Sequence, residues 1–397
     1  MFPKDMHAST GIGEFHSMCS NEDGSIVVFG SDTEGDSAWT IMYSDDGLKT
    51  VNRATVQNPR DVVVGMEQYD KCTVGQFRSI CYSSKRKVFV ATASVYFSQS
   101  LATDGYTTKL AMCAWTSQTG KHWTCKHLRT ADWPQFANRQ FAMAYDAEAD
   151  VVVAAKGNYL YWTQDCQTWN ELYVSSPDEA KLSMSSVLKI GKGKFAIWLL
   201  SDGNVQDVGI LEATFADGKM TVDKVVRLSP EDQADLNAKW EAAGITHIDS
   251  PFLPAAAAYS NGHCYAGIYS GTAVKVVGGY HYDVANGALK PLPPLSNGDK
   301  MSRGAIVDSD GNIWFFVRAN YLAKIIPGEE TFTEYETGAS GKFENGCTIN
   351  GTSYVCGRSG SVGLVFVLDS TNGAVQPVSF NMQDVQDYIP RYDMSQI

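Results

Sequence analysis

Residues 139–170 read RQFAMAYDAEADVVVAAKGNYLYWTQDCQTWN, and their punctuation decides the fold. A strand rich in small residues, Arg139 to Asp146, meets a tight polar turn, and a nearly continuous apolar strand follows from Asp150 to Gly157. A third strand alternates from Tyr159 to Gln164 and runs into a second turn, beyond which a polar strand begins. Short strands of this kind, separated by turn residues, form an antiparallel meander.

Outward from this stretch the same order of strands, here A to D, recurs seven times with a period of roughly fifty residues, the signature of a radial repeat. The A strands are GEFHSMCS from Gly13, QFRSICYS from Gln76, RQFAMAYD from Arg139, LSMSSVLK from Leu182, PAAAAYS from Pro254, SRGAIVD from Ser302 and KFENGCTI from Lys342. Their Ala, Ser, Gly and Cys suit the crowded innermost strand of a propeller blade. The B strands, among them SIVVFGS, KVFVATAS, KFAIWLLS and IWFFVRA, are apolar on both faces, as strands packed between neighbouring blades must be. Glu22-Asp23-Gly24, Asn261-Gly262, Asp310-Gly311 and Asn350-Gly351 supply A–B turns that accept positive φ. The sequence therefore predicts one all-β domain over residues 1–397, a seven-bladed β-propeller of four-stranded antiparallel blades at about 13–56, 76–130, 139–176, 182–229, 252–295, 301–337 and 342–380. Residues 1–12 and 381–397 are left as arms. One helix is expected from Pro230 to Ala243 between blades four and five, capped by Ser229 and ended by Gly244.

The net charge of −12 argues against phosphate-backbone binding, which needs clustered Lys and Arg, and Lys85-Arg86-Lys87 reads as a hairpin tip. Nine cysteines without a CxxC pair point to reduced, buried thiols rather than zinc or a disulfide framework. The first fifteen residues lack the basic start and apolar core of a signal peptide, and no apolar run is long enough to span a membrane. No metal or other cofactor is expected.

Three C–D turns carry the most specific pattern. They are Ser44-Asp45-Asp46-Gly47-Leu48-Lys49-Thr50, Thr116-Ser117-Gln118-Thr119-Gly120-Lys121-His122-Trp123 and Thr163-Gln164-Asp165-Cys166-Gln167-Thr168-Trp169. They resemble the Asp-box, S/T-x-D-x-G-x-T-W, of sialidase-type propellers. The resemblance implies a structural turn in which Ser44, Asp46, Thr50, Thr116, Gly120, Trp123, Thr163, Asp165 and Trp169 staple backbone and tuck an indole under its own blade, away from any active centre. Gly47 falls one place early and Gln167 replaces a Gly; blades four to seven keep the strands and lose the box. A sialidase would add an early FRIP-like Arg strand, and that motif is absent. Arg78 and Arg303 lie in inner strands, where an Arg also serves as a partner to a neighbouring carboxylate.

Asp61, Glu67, Asp70, Asp104, Asp132 and Asp249 occupy loops without any catalytic spacing, and the seven histidines form no HExxH or HxH pair. No catalytic residue is assigned, and the reading leans away from an enzyme. The connections Gln57 to Gly75, Ser94 to Lys109 and Ser229 to Ser250 are long and emerge on one face, where recognition loops belong. Tyr69, Tyr96, Tyr106, Trp133, Phe136 and Trp240 on that face are the candidate binding residues; each of them has the alternative of packing its own loop.

The expected function is a non-enzymatic binding or assembly module. A degenerate propeller with spare ends is similar in style to bacteriophage tail or adsorption proteins, which implies a virion location, protein partners and a homo-oligomeric or particle-bound state. A glycan-binding or sialidase-like glycoside hydrolase, or a cytoplasmic assembly factor, is the alternative. The arm from Asn381 to Ile397 either docks on another subunit or locks the ring of blades.

Overall fold

The computed structural model describes residues 12–33, 36–101, 105–132, 142–174, 182–201, 208–244, 254–268, 275–296, 301–317, 321–339, 341–359, 362–379 and 381–382. The first sheet comprises β1 (Ile12–Ser20), β2 (Val27–Thr33), β3 (Asp36–Ser44) and β4 (Thr50–Arg53). Two short strands, β5 (Thr55–Val56) and β6 (Lys71–Val74), precede the second sheet of β7 (Ser79–Ser83), β8 (Val88–Leu101), β9 (Gly105–Ser117) and β10 (His122–Asp132). The third contains β11 (Ala142–Asp146), β12 (Val151–Lys156), β13 (Tyr159–Thr163) and β14 (Asn170–Tyr173). The fourth contains β15 (Leu182–Gly191), β16 (Lys194–Ser201), β17 (Gly209–Ala216) and β18 (Lys219–Arg227), after which comes α1 (Pro230–Ala242). The fifth is β19 (Pro254–Ser260), β20 (His263–Ile268), β21 (Gly279–Asp283) and β22 (Ala288–Leu292). The sixth is β23 (Met301–Val307), β24 (Ile313–Val317), β25 (Tyr321–Ile325) and β26 (Thr333–Glu336). The seventh is β27 (Lys342–Ile349), β28 (Thr352–Ser359), β29 (Val362–Leu368) and β30 (Val375–Pro377), and β31 (Asn381–Met382) closes the order.

Each sheet pairs its four strands in chain order. Seven such antiparallel meanders with a single described helix between the fourth and fifth are a seven-bladed β-propeller, as the repeats predict. The B strands are largely buried, and in β12 and β24 every residue is buried, because both of their faces are covered. Helix α1 starts as its sequence directs, with the Ser229 hydroxyl accepting from Asp232 N at 3.0 Å and Gly244 at φ +69° just past its end. Among the described residues no helix is long and apolar enough to cross a membrane. All nine cysteines are thiols outside any disulfide, five buried and four half-buried.

The chain divides into two compact units, Met1–Gln140 with Cys356–Val365 and Pro377–Ile397, and Phe141–Val355 with Phe366–Gln376. In the first, one core joins Val28 and Ile41 to Phe77, Phe89, Val95, Phe97, Trp115 and Trp123. Blades one and two approach so closely there that a Cβ on Gly30 would lie 1.8 Å from the Phe77 carbonyl oxygen, which accepts from the Ser17 hydroxyl at 2.5 Å. Only glycine fits that contact. In the second unit, separate apolar clusters fill the space between blades three and four, four and five, and five and six. Gly304 has the same role as Gly30: its Cβ would stand 2.4 Å from the Glu344 carbonyl oxygen.

One expectation, that of long loop connections, is corrected. The stretch Ser94 to Lys109 is largely strand, since β8 and β9 stay paired from Phe89 with Ser117 to Leu101 with Gly105. Val95 and Phe97 are fully buried while Tyr96 is half-buried, so the ordinary inside-outside alternation of a strand simply continues. The stretch Gln57 to Gly75 contains a single turn of 3-10 helix, Pro59–Asp61, and then β6, which pairs with β8 from Lys71 opposite Ser98 to Val74 opposite Val95.

The chain beyond blade seven returns to the chain's own first blade. Asn381 and Met382 pair in parallel with Thr50 and Val51 of β4, on this chain's own first blade. The same device recurs one blade on, where Thr55 and Val56 pair in parallel with His122 and Trp123 of β10. Residues 383–397 and 1–11 lie outside the described residues.

Candidate functional site

The short-turn end of the blades is held by carboxylates. In the first C–D turn Asp46 accepts from Lys49 N at 3.0 Å, Thr50 N at 2.9 Å and the Thr50 hydroxyl at 2.6 Å, and the Ser44 hydroxyl bonds both Asp46 and Leu48 N. Leu48 takes φ +67° and Gly120 takes φ +74° at the equivalent place of the second turn, the left-handed geometry that favours glycine there. In the second turn the Ser117 hydroxyl accepts from Gly120 N at 2.9 Å, and the buried Trp123 indole donates to the Gly120 carbonyl at 2.8 Å. In the third, Asp165 accepts from Gln167 N, Thr168 N and the Thr163 hydroxyl at 2.6–3.0 Å. The Trp169 indole N–H is buried with no hydrogen-bond partner among the described residues.

These bonds set the acidity of the turns. The Thr50 hydroxyl, then its N–H, hold Asp46 down to about 2. Burial works against ionisation of Asp165, but the N–H groups of Thr168 and Gln167 outweigh it and bring that carboxyl to about 2. Such acids stay charged and engaged with backbone, which is structural chemistry rather than proton transfer.

Blades without the sequence pattern use the same chemistry. Asp283 accepts from Ala285 N and Asn286 N, and Asp369 from Thr371 N and its hydroxyl, so the C–D turns of blades five and seven are also carboxylate-stapled. At A–B turns, Asp308 takes Asp310 N, Asn312 N and the buried Trp314 indole, and Asp146 takes Glu148 N and Gly193 N of the next blade. An Asp two residues before a turn amide was the available signal; without the Ser/Thr and Trp around it, it is too common to stand out.

At the other end, blade two projects. Beyond the blade, β6, β8 and β9 form an antiparallel extension on the side where the long connections emerge. Gln57 anchors its base: its side-chain oxygen accepts from Cys125 N at 2.8 Å, its carbonyl from the Trp115 indole at 3.0 Å, and its own N–H donates to the Trp123 carbonyl at 2.9 Å. Arg60 donates to the Tyr69 carbonyl at 2.8 Å and lies 5.8 Å over the Phe97 ring.

The six candidate binding residues separate on this framework. Tyr69 and Trp240 are only 5% exposed and belong to apolar clusters, where they fasten their loops and present no ring to a ligand. Tyr96 is half-buried on β8, its hydroxyl pushed upward in pKa by burial. Tyr106 pairs through its backbone with Ser100 in the extension. Trp133 and Phe136 lie outside the described residues. Asp61, Glu67 and Asp70 are exposed along the Gln57 to Gly75 connection, while Asp104 and Asp249 fall outside the described residues, as do the side chains of Asp132 and Arg303. Arg78 is half-buried and bonds Gln76.

Neither a protein-family model nor a curated protein matches the sequence. Among solved structures, a GH74 enzyme from Niastella koreensis aligns over 93% of this chain with a TM-score of 0.54 at 14% identity, and the chain spans 54% of that enzyme. YCF48 bound to D1 peptide (TM-score 0.38, 15% identity, 62% of this chain and 68% of that one) and virginiamycin B lyase from Staphylococcus aureus (0.38, 12%, 62% and 72%) align more loosely. Identities this low carry a likeness of fold and nothing of chemistry. By its architecture the chain is a seven-bladed β-propeller.

Proposed function

We propose that this propeller is a non-enzymatic binding module of the degenerate Asp-box kind, acting in a larger assembly through the face on which blade two projects. The observation that carries this reading is the three-stranded extension of β6, β8 and β9, a rigid platform raised from a scaffold whose opposite end is occupied by turn staples. Recognition concentrates on such projections because the scaffold has already met the entropic cost of ordering them. The location we propose is a virion, in the tail or adsorption apparatus of a phage, with protein subunits as partners in a homo-oligomer or particle.

A cell-surface glycan is the alternative occupant of the same platform, favoured by the half-buried Tyr96, since aromatic rings of this kind stack on sugars. Two measurements decide between them: the mass of the full chain by light scattering, and its adsorption to purified cell-envelope polysaccharide with and without Tyr96→Ala. A stable oligomer that ignores polysaccharide supports assembly. Adsorption lost in the variant supports the glycan. A monomer that binds no polysaccharide overturns both.

A further inference from the structure

Blade five carries two histidines whose rings meet. His263 on β20 and His281 on β21 place Nδ1 and Nε2 3.0 Å apart, close enough for one N–H···N hydrogen bond. His281 is 6% exposed, and the ring of its cross-strand partner Tyr265 stacks on it at 4.5 Å and 7°. The Tyr265 hydroxyl reaches into blade six: it donates to the Glu329 carbonyl at 2.9 Å and accepts from Gly328 N at 2.8 Å. Gly328 itself faces His263, with a Cβ position 3.5 Å from that ring's Nε2. The two imidazoles and the phenol thus form a stack that fixes the C–D turn of blade six.

We propose that the His263–His281 pair is an acid-released latch, which binds the 326–332 turn of blade six to blade five while it shares one proton and frees the turn when both rings are protonated. A single proton on the more exposed His263 leaves the bond intact, because His281 still accepts. A second proton, on His281, sets two N–H donors face to face at 3.0 Å with no acceptor between them. The ring must then leave, and Tyr265 loses the surface on which it stacks.

The surrounding charges do not cancel this. From β21, Asp283 lies opposite His263; from β22, Lys290 lies opposite His281; from the blade-six turn come Glu329 and Glu330, with Glu330 engaged by Lys290 at 2.9 Å. Glu330 and Asp283 favour protonation of His281, but burial first, and then His263, press the other way and hold it down to about 4. A histidine depressed in the closed state stabilises that state fully above its free value near 6.5, and the contribution falls away as pH drops towards 4. The window of release therefore lies between pH 6.5 and 4.

The test is hydrogen–deuterium exchange of the full chain from pH 7 to pH 4, corrected for intrinsic rates and read on peptides covering 326–332. Protection there is expected to fall on the order of a hundredfold while peptides from β12 and β24 keep theirs. His281→Phe, which still stacks on Tyr265 and cannot take a proton, should leave the turn protected at pH 4. His263→Gln, able to turn a carbonyl oxygen towards a protonated His281, should blunt the loss. Unchanged protection in the wild type overturns the latch. So does an acid loss that reaches β12 and β24 equally, or one that persists undiminished in both variants.

Discussion

Asp165 is exposed and still keeps three turn donors in place, so its contribution should be measurable and modest. Asp165→Asn is expected to cost about 1 kcal/mol in a denaturant titration at pH 7, near the lower end for charge-assisted bonds because water screens the site. The carboxyl is depressed to about 2 in the fold against 3.8 free, so its stabilisation is complete above pH 4 and disappears as pH falls through 2. The gap between wild type and variant should narrow over that interval and nowhere else. Gly30 poses a steric question instead: a methyl group 1.8 Å from the Phe77 carbonyl oxygen has no place to go. Gly30→Ala should destabilise the protein by about 3 kcal/mol, the range of overpacked cores, and a smaller loss by thermal or chemical melting would mean that blades one and two separate easily. At this scale sequence reading found Asp46 and Asp165 because hydroxyl, acid and indole recur around them. It missed Asp283, Asp308 and Asp369, whose turns make the same bonds with less distinctive neighbours.

The strand is the scale at which reading the sequence succeeded most and also slipped. The B strands could be read because burial on both faces removes polar alternation, and α1 because Ser229, Pro230 and Gly244 mark both of its ends. The far halves of β8 and β9 could not be, because Ser98, Gln99, Ser100, Thr107 and Thr108 are polar and are held in strand by the β8–β9 pairing itself, with β6 added along residues 95–98 of β8. That pairing gives Phe97 and Tyr96 opposite duties. Phe97 is fully buried under Arg60, and Phe97→Ala should cost about 4 kcal/mol. Tyr96→Ala should cost about 1 kcal/mol, the ordinary price of a half-buried site, and should act on binding instead. Parallel denaturation curves of the two variants check this; equal losses would make Tyr96 a packing residue and withdraw it from the binding face.

At the scale of the whole molecule, seven sheets follow from a repeat that turns and small residues announce, whereas the binding site does not follow, because recognition depends on which side chains a distant pairing exposes. The C-terminal arm shows the difference. Its composition allowed either a contact with another subunit or a closure on the chain itself; the parallel bridge of Asn381 and Met382 to Thr50 and Val51 is of the second kind. It also covers the edge of β4, as Thr55 and Val56 cover the edge of β10, and an uncovered outer edge is open to unwanted pairing. Two truncations separate the roles of bridge and tail. A chain ending at Met382 keeps the bridge and should melt as the full chain does. A chain ending at Phe380 loses it and should be less stable by about 1–2 kcal/mol, the worth of the lost backbone bonds, with its mass in solution unchanged. If instead the mass falls on removal of residues 383–397 alone, the tail beyond the bridge is what holds subunits together, and the assembly surface moves from the projecting blade to the end of the chain.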